Sequence, residues 1–266
     1  MARIGIVGGN GALGSAIGAA LLAAGVPEGP LWIASRSGTA GPLAGRAVRV
    51  TEDAQELAEA CDVILLSVPP AEAGRIGVAA PDRLVISVMA GVTHRRLAAL
   101  TGAARVVRAM SSPAAARGLA YSVWFGGGTL TGADRALVGG LFAACGESDE
   151  LAEERQIDLF TAMTGPVPGF VAYFADCMQG YATERGVPAP IAERAVRQLF
   201  LAAGQSLAGD PEGPAAQVQA MVDYAGSTAA GLTVLRAGPL AAALAEGLDA
   251  AAERARALGQ ASDVST

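Results

Sequence analysis

The 266-residue chain contains no lysine: all 19 of its cations are arginine, set against 25 acidic residues for a formal net charge of −6. This excludes the usual chemistry of Schiff-base enzymes, Walker-type nucleotidases and protein kinases, which place a lysine amine on a carbonyl or a phosphate. Histidine is nearly missing too. His94 stands alone, so a multi-histidine zinc site cannot be assembled, and Cys61, Cys145 and Cys177 lack the CxxC spacing that could replace it. No metal is expected. Basic clusters that could neutralise phosphates in a row are absent, which argues against a nucleic-acid partner. Neither a leader nor a run of about 18 apolar residues is evident, so no membrane partner is expected. Three unpatterned cysteines read as buried apolar side chains in a reducing compartment, and the cytoplasm is the expected location. Asparagine occurs once, at Asn10, while alanine and glycine abound. GC-rich codon usage produces that pattern, and over most of the chain it accounts for the missing lysine.

What is present suffices for a packed core, since 52% of residues are hydrophobic and 17% charged. Short β-branched or Leu-rich runs at 4–7, 31–35, 47–50, 63–68, 84–88, 105–109 and 120–125 alternate with Ala-rich helical stretches. That alternation is the pattern of parallel strands joined by crossover helices, and apolar runs without polar interruption suit strands covered on both faces. Beyond residue 150 the strand signals stop. Helical periodicity continues between Gly/Pro breakers at 165–169, 186–190, 209–214 and 238–239. The prediction is an α/β domain over 1–152 followed by an all-helical domain over 153–266, with a frayed tail from Gln260. Tyr121, Trp124 and Phe125 should pack along one strand. Tyr173, Phe174 and Met178 lie at helical spacing suited to core or dimer contact, and Glu246, Asp249 and Glu253 should form a solvated face of the last helix.

Gly9-x-Gly11-x-x-Gly14 lies directly between the run 4–7 and a helical stretch over 13–24. Strand, motif and helix in register make this a Rossmann-type dinucleotide site. The first glycine permits the turn, with Gly8 extending it, the second lets the backbone approach a pyrophosphate, and the third lets the helix pack closely. The helix N-terminus, with Asn10, Ala12 and Leu13 beside those glycines, would take the phosphates. At the end of the second strand an acid would bond a free ribose 2′-hydroxyl, but this chain has Ser35-Arg36-Ser37. NADPH is therefore the expected cofactor, with Arg36 on the 2′-phosphate and both serines donating hydrogen bonds.

With these residues in view the chain resembles the pyrroline-5-carboxylate reductases over nearly its whole length. LVISVMAGV at 84–92, RVVRAM at 105–110, 161–165, YAGSTAAGL at 224–232 and the closing LAAALAEGLDAAAERARALG carry the likeness. The resemblance implies a parallel-sheet domain followed by a helical dimerisation domain, and reduction of a cyclic imine. Carried over by position, Ser67, Val68 and Pro69 with Ala90 and Gly91 would flank the nicotinamide. Thr228 would stand near the imine nitrogen as the catalytic hydroxyl, and the backbone at Gly226 and Ser227 would receive the substrate carboxylate across a dimer interface. Met110, Ser111, Asp223 and Tyr224 would complete the substrate site. The departures gather there. Val-Lys-Pro becomes Val68-Pro69-Pro70, Met-Pro-Asn becomes Met110-Ser111-Ser112, Gly-Ser-Gly-Pro becomes Gly165-Pro166-Val167-Pro168, and Ser-Pro-Gly-Gly-Thr-Thr becomes Asp223-Tyr224-Ala225-Gly226-Ser227-Thr228. The expected partners are a small cyclic imine or imino acid and a second copy of the chain.

Hydride transfer to C=N needs little more than positioning and a proton, which fits a chain with one histidine and no lysine. β-Hydroxyacid dehydrogenases and ketopantoate reductases use a lysine and are excluded. Prephenate-type dehydrogenases would need His94, which reads instead as a solvated residue at a helix start capped by Thr93. Deazaflavin-dependent NADP reductases share the glycine turn but need less helical structure. A non-catalytic NADPH-binding sensor remains the alternative of a different class.

Overall fold

The computed structural model describes residues 2–27 and 29–261. The chain divides into two compact units, one made of residues up to Gly165 with those from Ala250 onward, the other of Pro166–Asp249.

The first unit is built on an eight-stranded sheet ordered β3-β2-β1-β4-β5-β6-β7-β8. Its strands are β1 (Ile4–Val7), β2 (Leu31–Ala34), β3 (Val48–Thr51), β4 (Val63–Leu66), β5 (Leu84–Ser87), β6 (Arg105–Met110), β7 (Ala120–Phe125) and β8 (Gly146–Glu150). Five helices belong to it: α1 (Ala12–Ala24), α2 (Ala54–Ala60), α3 (His94–Thr101), α4 (Gly132–Ala143) and α5 (Gln156–Thr164). Strand alternation sorts the core into two layers. Ile4, Ile6, Val63, Leu65, Leu84 and Ile86 join Ile17 and Leu21 of α1 and Phe142 of α4 on one face. Val7, Ile64, Leu66, Val85 and Val106 join Leu57 of α2 and Leu97 of α3 on the other. These strands read as unbroken apolar runs because both faces are covered.

β1 to β6 are parallel, as the alternation predicts, but β7 pairs antiparallel with β6 and β8 parallel with β7. The link from β6 to β7 is too short for a crossover helix and contains only a 3-10 turn at Pro113–Arg117, so the chain reverses. The sequence did not reveal β8, Gly-Glu-Ser-Asp-Glu, because it is an edge strand whose polar residues carry no apolar period. α5 stays with the first unit, beyond the boundary at 152. Ile157 is fully buried with Met110 and Val123.

The second unit is helical: α6 (Val167–Thr183), α7 (Ala189–Gly209), α8 (Pro214–Asp223), α9 (Ser227–Ala237) and the first half of α10 (Leu240–Ala261). α6, α8 and α9 bury no residue, and α7 buries only Ala192 and Val196. Tyr173, Phe174 and Met178 are exposed in the single chain, so they are not core. Cys177 on α6 is exposed as well, unlike Cys61 and Cys145 and contrary to expectation. Among the described residues no single helix is long and apolar enough to cross a membrane; α9 and α10 meet that length and composition only as a pair bent by 57°. Residues 262–266, most of the tail expected to fray, lie outside the described residues, while Gln260 and Ala261 end α10.

Candidate active site

The turn after β1 is held by hydrogen bonds that only a compact backbone allows: Gly8 N–H to the Ala34 carbonyl at 2.8 Å and Gly11 N–H to the Gly8 carbonyl at 3.0 Å. Gly8, with φ of 81°, takes the left-handed conformation, so the bend of the turn falls one residue before the first glycine of the motif. Gly9 is required for space, since a Cβ there would lie 2.9 Å from Ile33. A Cβ at Gly14 would lie 2.5 Å from the Gly8 carbonyl oxygen, so the third glycine lets α1 close on the turn as predicted. Gly11 caps α1 without a side-chain hydrogen bond, leaving first-turn N–H groups at Ala12 and Leu13 free of a side-chain cap. This is a ready cradle for a phosphate.

Above it lies a cleft of about 560 Å³ whose wall includes Gly8, Asn10, Gly11, Ser35, Arg36, Ser67, Val68 and Pro69. Predicted cofactor residues from the ends of β1, β2 and β4 are thus brought together, because parallel strands all present their C-terminal ends to one edge. Arg36 is exposed on that wall. The serines differ from expectation. Ser35 is buried, its hydroxyl donating to the Thr39 carbonyl at 2.8 Å and accepting from Thr39 N–H at 3.1 Å, so its proton is spent on shaping the loop. Ser37 accepts from Asn10 Nδ2 at 3.2 Å and pairs with the Thr39 hydroxyl at 2.9 Å, which ties the loop to the glycine turn. Glu52, Asp53, Glu72 and Arg75 also face the cleft. No sequence motif marks these four.

Ala90 and Gly91 form the turn after β5 and are not on the cleft wall. Gly91 has a φ of 74°, and a Cβ there would lie 2.4 Å from the Ala255 carbonyl oxygen. Its neighbours are Ala255 and Gly259 near the end of α10, backbone against backbone. Met110 and Ser111 are interior: Met110 packs with Val123 and Ile157, and the Ser111 hydroxyl is 2.8 Å from that of Ser122. In the single chain both are buried, Met110 beneath α5 and beside its β7 neighbour Val123, and neither is on the cleft wall.

In the second unit Asp223, Tyr224, Gly226, Ser227 and Thr228 gather at the junction of α8 and α9. Ala225 adopts a φ of 58°, the turn that separates the two helices. Gly226 caps α9 with no side-chain hydrogen bond, so the N–H groups that follow, beside the exposed Thr228, form a second uncapped helix start. Asp223 accepts from Gln219 Nε2 at 2.8 Å, and Tyr224 is 87% exposed.

His94 is not the solvated histidine expected. Thr93 does cap α3, but the His94 ring is half-buried, its Nε2–H donating to the Val106 carbonyl at 3.0 Å and its face meeting Phe125 edge-on. His94 does not line the cleft, which weighs against the prephenate-type mechanism. His94 N–H donates to Glu154 Oε1 at 2.7 Å, and the same oxygen receives Arg108 Nη1 at 3.2 Å. Arg108 is buried on β6 and also pairs with Asp158 of α5. This ion cluster was missed because its members lie 46 and 50 residues apart. Burial drives the Cys61 thiol up to about 12 and the Cys145 thiol to about 11, so neither is a nucleophile near neutrality.

The profile for pyrroline-5-carboxylate reductase dimerisation matches residues 154–258, and that for NADP oxidoreductase, coenzyme F420-dependent, matches residues 3–91. The pyrroline-5-carboxylate reductase of Schizosaccharomyces pombe is 30% identical over 228 residues, covering 82% of this chain and 80% of that protein. The Pseudomonas aeruginosa enzyme of the same name is 28% identical over 267 residues, covering 97% of each. Among solved structures, a pyrroline-5-carboxylate reductase from Coxiella burnetii superposes with a TM-score of 0.86 at 24% identity, over 97% of this chain and 98% of that one. The Plasmodium falciparum pyrroline carboxylate reductase with NADP bound gives 0.81 at 22% identity over the same shares. The two structures show the shared fold, and the sequence relatives show the rest: this chain belongs to the pyrroline-5-carboxylate reductase family.

Proposed function

We propose that the protein reduces pyrroline-5-carboxylate to proline with NADPH. The observation that carries this is the cleft itself, where the uncapped start of α1, a glycine turn too tight for any Cβ at Gly14, and Arg36 converge on one edge of the sheet. The first-turn N–H groups of α1 hold the pyrophosphate and Arg36 holds the 2′-phosphate. When bound, the reduced nicotinamide would supply a hydride to the carbon of the N-protonated imine, whose C=N electron pair would pass to nitrogen and leave a neutral ring amine. Ser67, Val68 and Pro69 wall the cleft on the β4 side. The uncapped start of α9 receives the substrate carboxylate, with Gly226 and Ser227 offering backbone, and the Thr228 hydroxyl orients the imine nitrogen and its proton. A second copy of the chain supplies that turn to each cleft, which also covers the apolar helices of the second unit. Positioning of this kind is worth up to about 7–11 kcal/mol, so neither lysine nor a free histidine is needed. Cytoplasmic residence belongs to the same proposal, supported by three cysteines without a disulfide pattern.

The test is NADPH oxidation with pyrroline-5-carboxylate, followed by methylated and six-membered cyclic imines. Turnover is expected, with Thr228→Ala lowering kcat at least tenfold. NADPH binding without turnover of any imine would favour a sensor, and undiminished turnover in Thr228→Ala would remove that hydroxyl from the mechanism.

A further inference from the structure

Two charged residues on the cleft wall, Glu72 and Arg75, lie on the 3-10 turn that follows β4, distant in sequence from the glycine motif and from 35–37. The Glu72 carboxylate stands between two guanidiniums, Oε2 3.6 Å from Arg36 Nη1 and Oε1 3.9 Å from Arg75 Nη1. Its side chain is 31% exposed, against 89% for Arg36 and 79% for Arg75, so the carboxylate lies against the wall while both guanidiniums stand in solvent. The other acids on the wall are placed differently: Asp53 caps α2 through Gln55 and Glu56 N–H, and Glu52 lies against Gly38, whereas Glu72 is the acid within ion-pair distance of Arg36. Glu72 is thus the acid poised on the arginine that the 2′-phosphate needs.

The two anions compete. A dianionic phosphate on Arg36 competes with Glu72 for the guanidinium and lies within a few ångströms of that negative charge, whereas a ribose 2′-hydroxyl could donate to the carboxylate. Arg75 changes this balance because it can take over the carboxylate that Arg36 releases. We propose that Glu72 and Arg75 form a counter-ion pair that sets the preference for NADPH over NADH: Arg36 passes from Glu72 to the 2′-phosphate, and Arg75 neutralises the Glu72 it leaves. Arg75 acts through Glu72 and not by touching the phosphate. The inference rests on the proposed use of NADPH and adds what decides the choice of dinucleotide.

Binding titrations by nucleotide fluorescence, with NADPH and NADH against the intact protein and its Arg75→Gln, Glu72→Gln and doubly substituted forms, separate these roles. The readout is the ratio of the NADH to the NADPH dissociation constant. Arg75→Gln should lower it about tenfold and Glu72→Gln should raise it a few-fold, while the double variant should return to the wild-type ratio or above. A double variant as poor as Arg75→Gln alone would mean that Arg75 binds phosphate directly and would overturn the proposal; so would single variants that shift both nucleotides equally. Arg36→Glu provides the separate control. If it leaves NADPH affinity unaltered, the 2′-phosphate assignment itself fails and takes this inference with it; if it weakens NADPH while the cycle is flat, only the counter-ion pair fails.

Discussion

Gly14 shows how much of the site is written in single residues. Its missing side chain is read directly from the motif, and the structure gives the reason as a 2.5 Å approach to the Gly8 carbonyl oxygen. Gly14→Ala must push α1 off the turn, so NADPH affinity should fall at least tenfold in a titration; unchanged affinity would separate the turn from the cofactor. Arg36 was legible for a similar reason, since the residue type at a strand end states the charge offered to the ribose. Ser35 was not. Only the folded loop shows that its hydroxyl is spent on Thr39. The Arg108 cluster was hidden altogether, because its partners meet only after the sheet and α5 have formed. Asp62 carries the acid-side prediction. The Arg3 side chain donates to its carboxylate at 2.8 and 3.2 Å and the Arg3 N–H at 3.0 Å, which lowers it from 3.8 to about 2. A depressed carboxylate stabilises the fold fully above about pH 4, and that contribution is lost as pH falls towards 2. Denaturation of Asp62→Asn between pH 4 and 2 should therefore show a shallower loss of stability than wild type, and an identical slope would contradict the pairing.

Among the elements, those with an apolar period declared themselves and those without did not. β1, β4 and β5 are four-residue runs buried throughout, with helices covering both faces. β8 is polar and half in water, stabilised by its neighbours: Glu150 receives Arg135 Nε and Asp149 receives the Tyr121 hydroxyl. Such a strand exists because β7 offers it an edge, a fact of the sheet and not of residues 146–150. The reversal of β7 likewise follows from a link too short to cross over. The contact between the 90–91 turn and the end of α10 joins elements about 165 residues apart in a chain of 266, so no local pattern could reveal it. It yields a prediction. Gly91→Ala places a methyl group 2.4 Å from the Ala255 carbonyl oxygen at a φ of 74°, and should cost about 1–3 kcal/mol of stability in urea denaturation. A variant as stable as wild type would show that α10 is not seated on that turn.

At the scale of the whole molecule, the two units differ in what they can do alone. The first has a core on both faces of its sheet, whereas in the second α6, α8 and α9 bury nothing within the chain, with Tyr173 and Val234 each 71% exposed. Apolar surface on that scale calls for a partner, and a dimer or larger assembly is expected by light scattering at micromolar concentration; a soluble monomer would contradict it. The missing lysine also reads differently at this scale. Arginine serves wherever the fold needs a cation, at Arg108 in the interior and Arg36 on the cleft, and the chemistry proposed needs no amine. The central claim is hydride transfer from the nicotinamide to an imine carbon, and isotope transfer tests it most directly. With NADPH deuterated on the transferable face of C4 and pyrroline-5-carboxylate as acceptor, mass spectrometry should find one deuterium on the ring carbon of proline that was the imine carbon. Unlabelled proline, or no proline at all, would contradict the account.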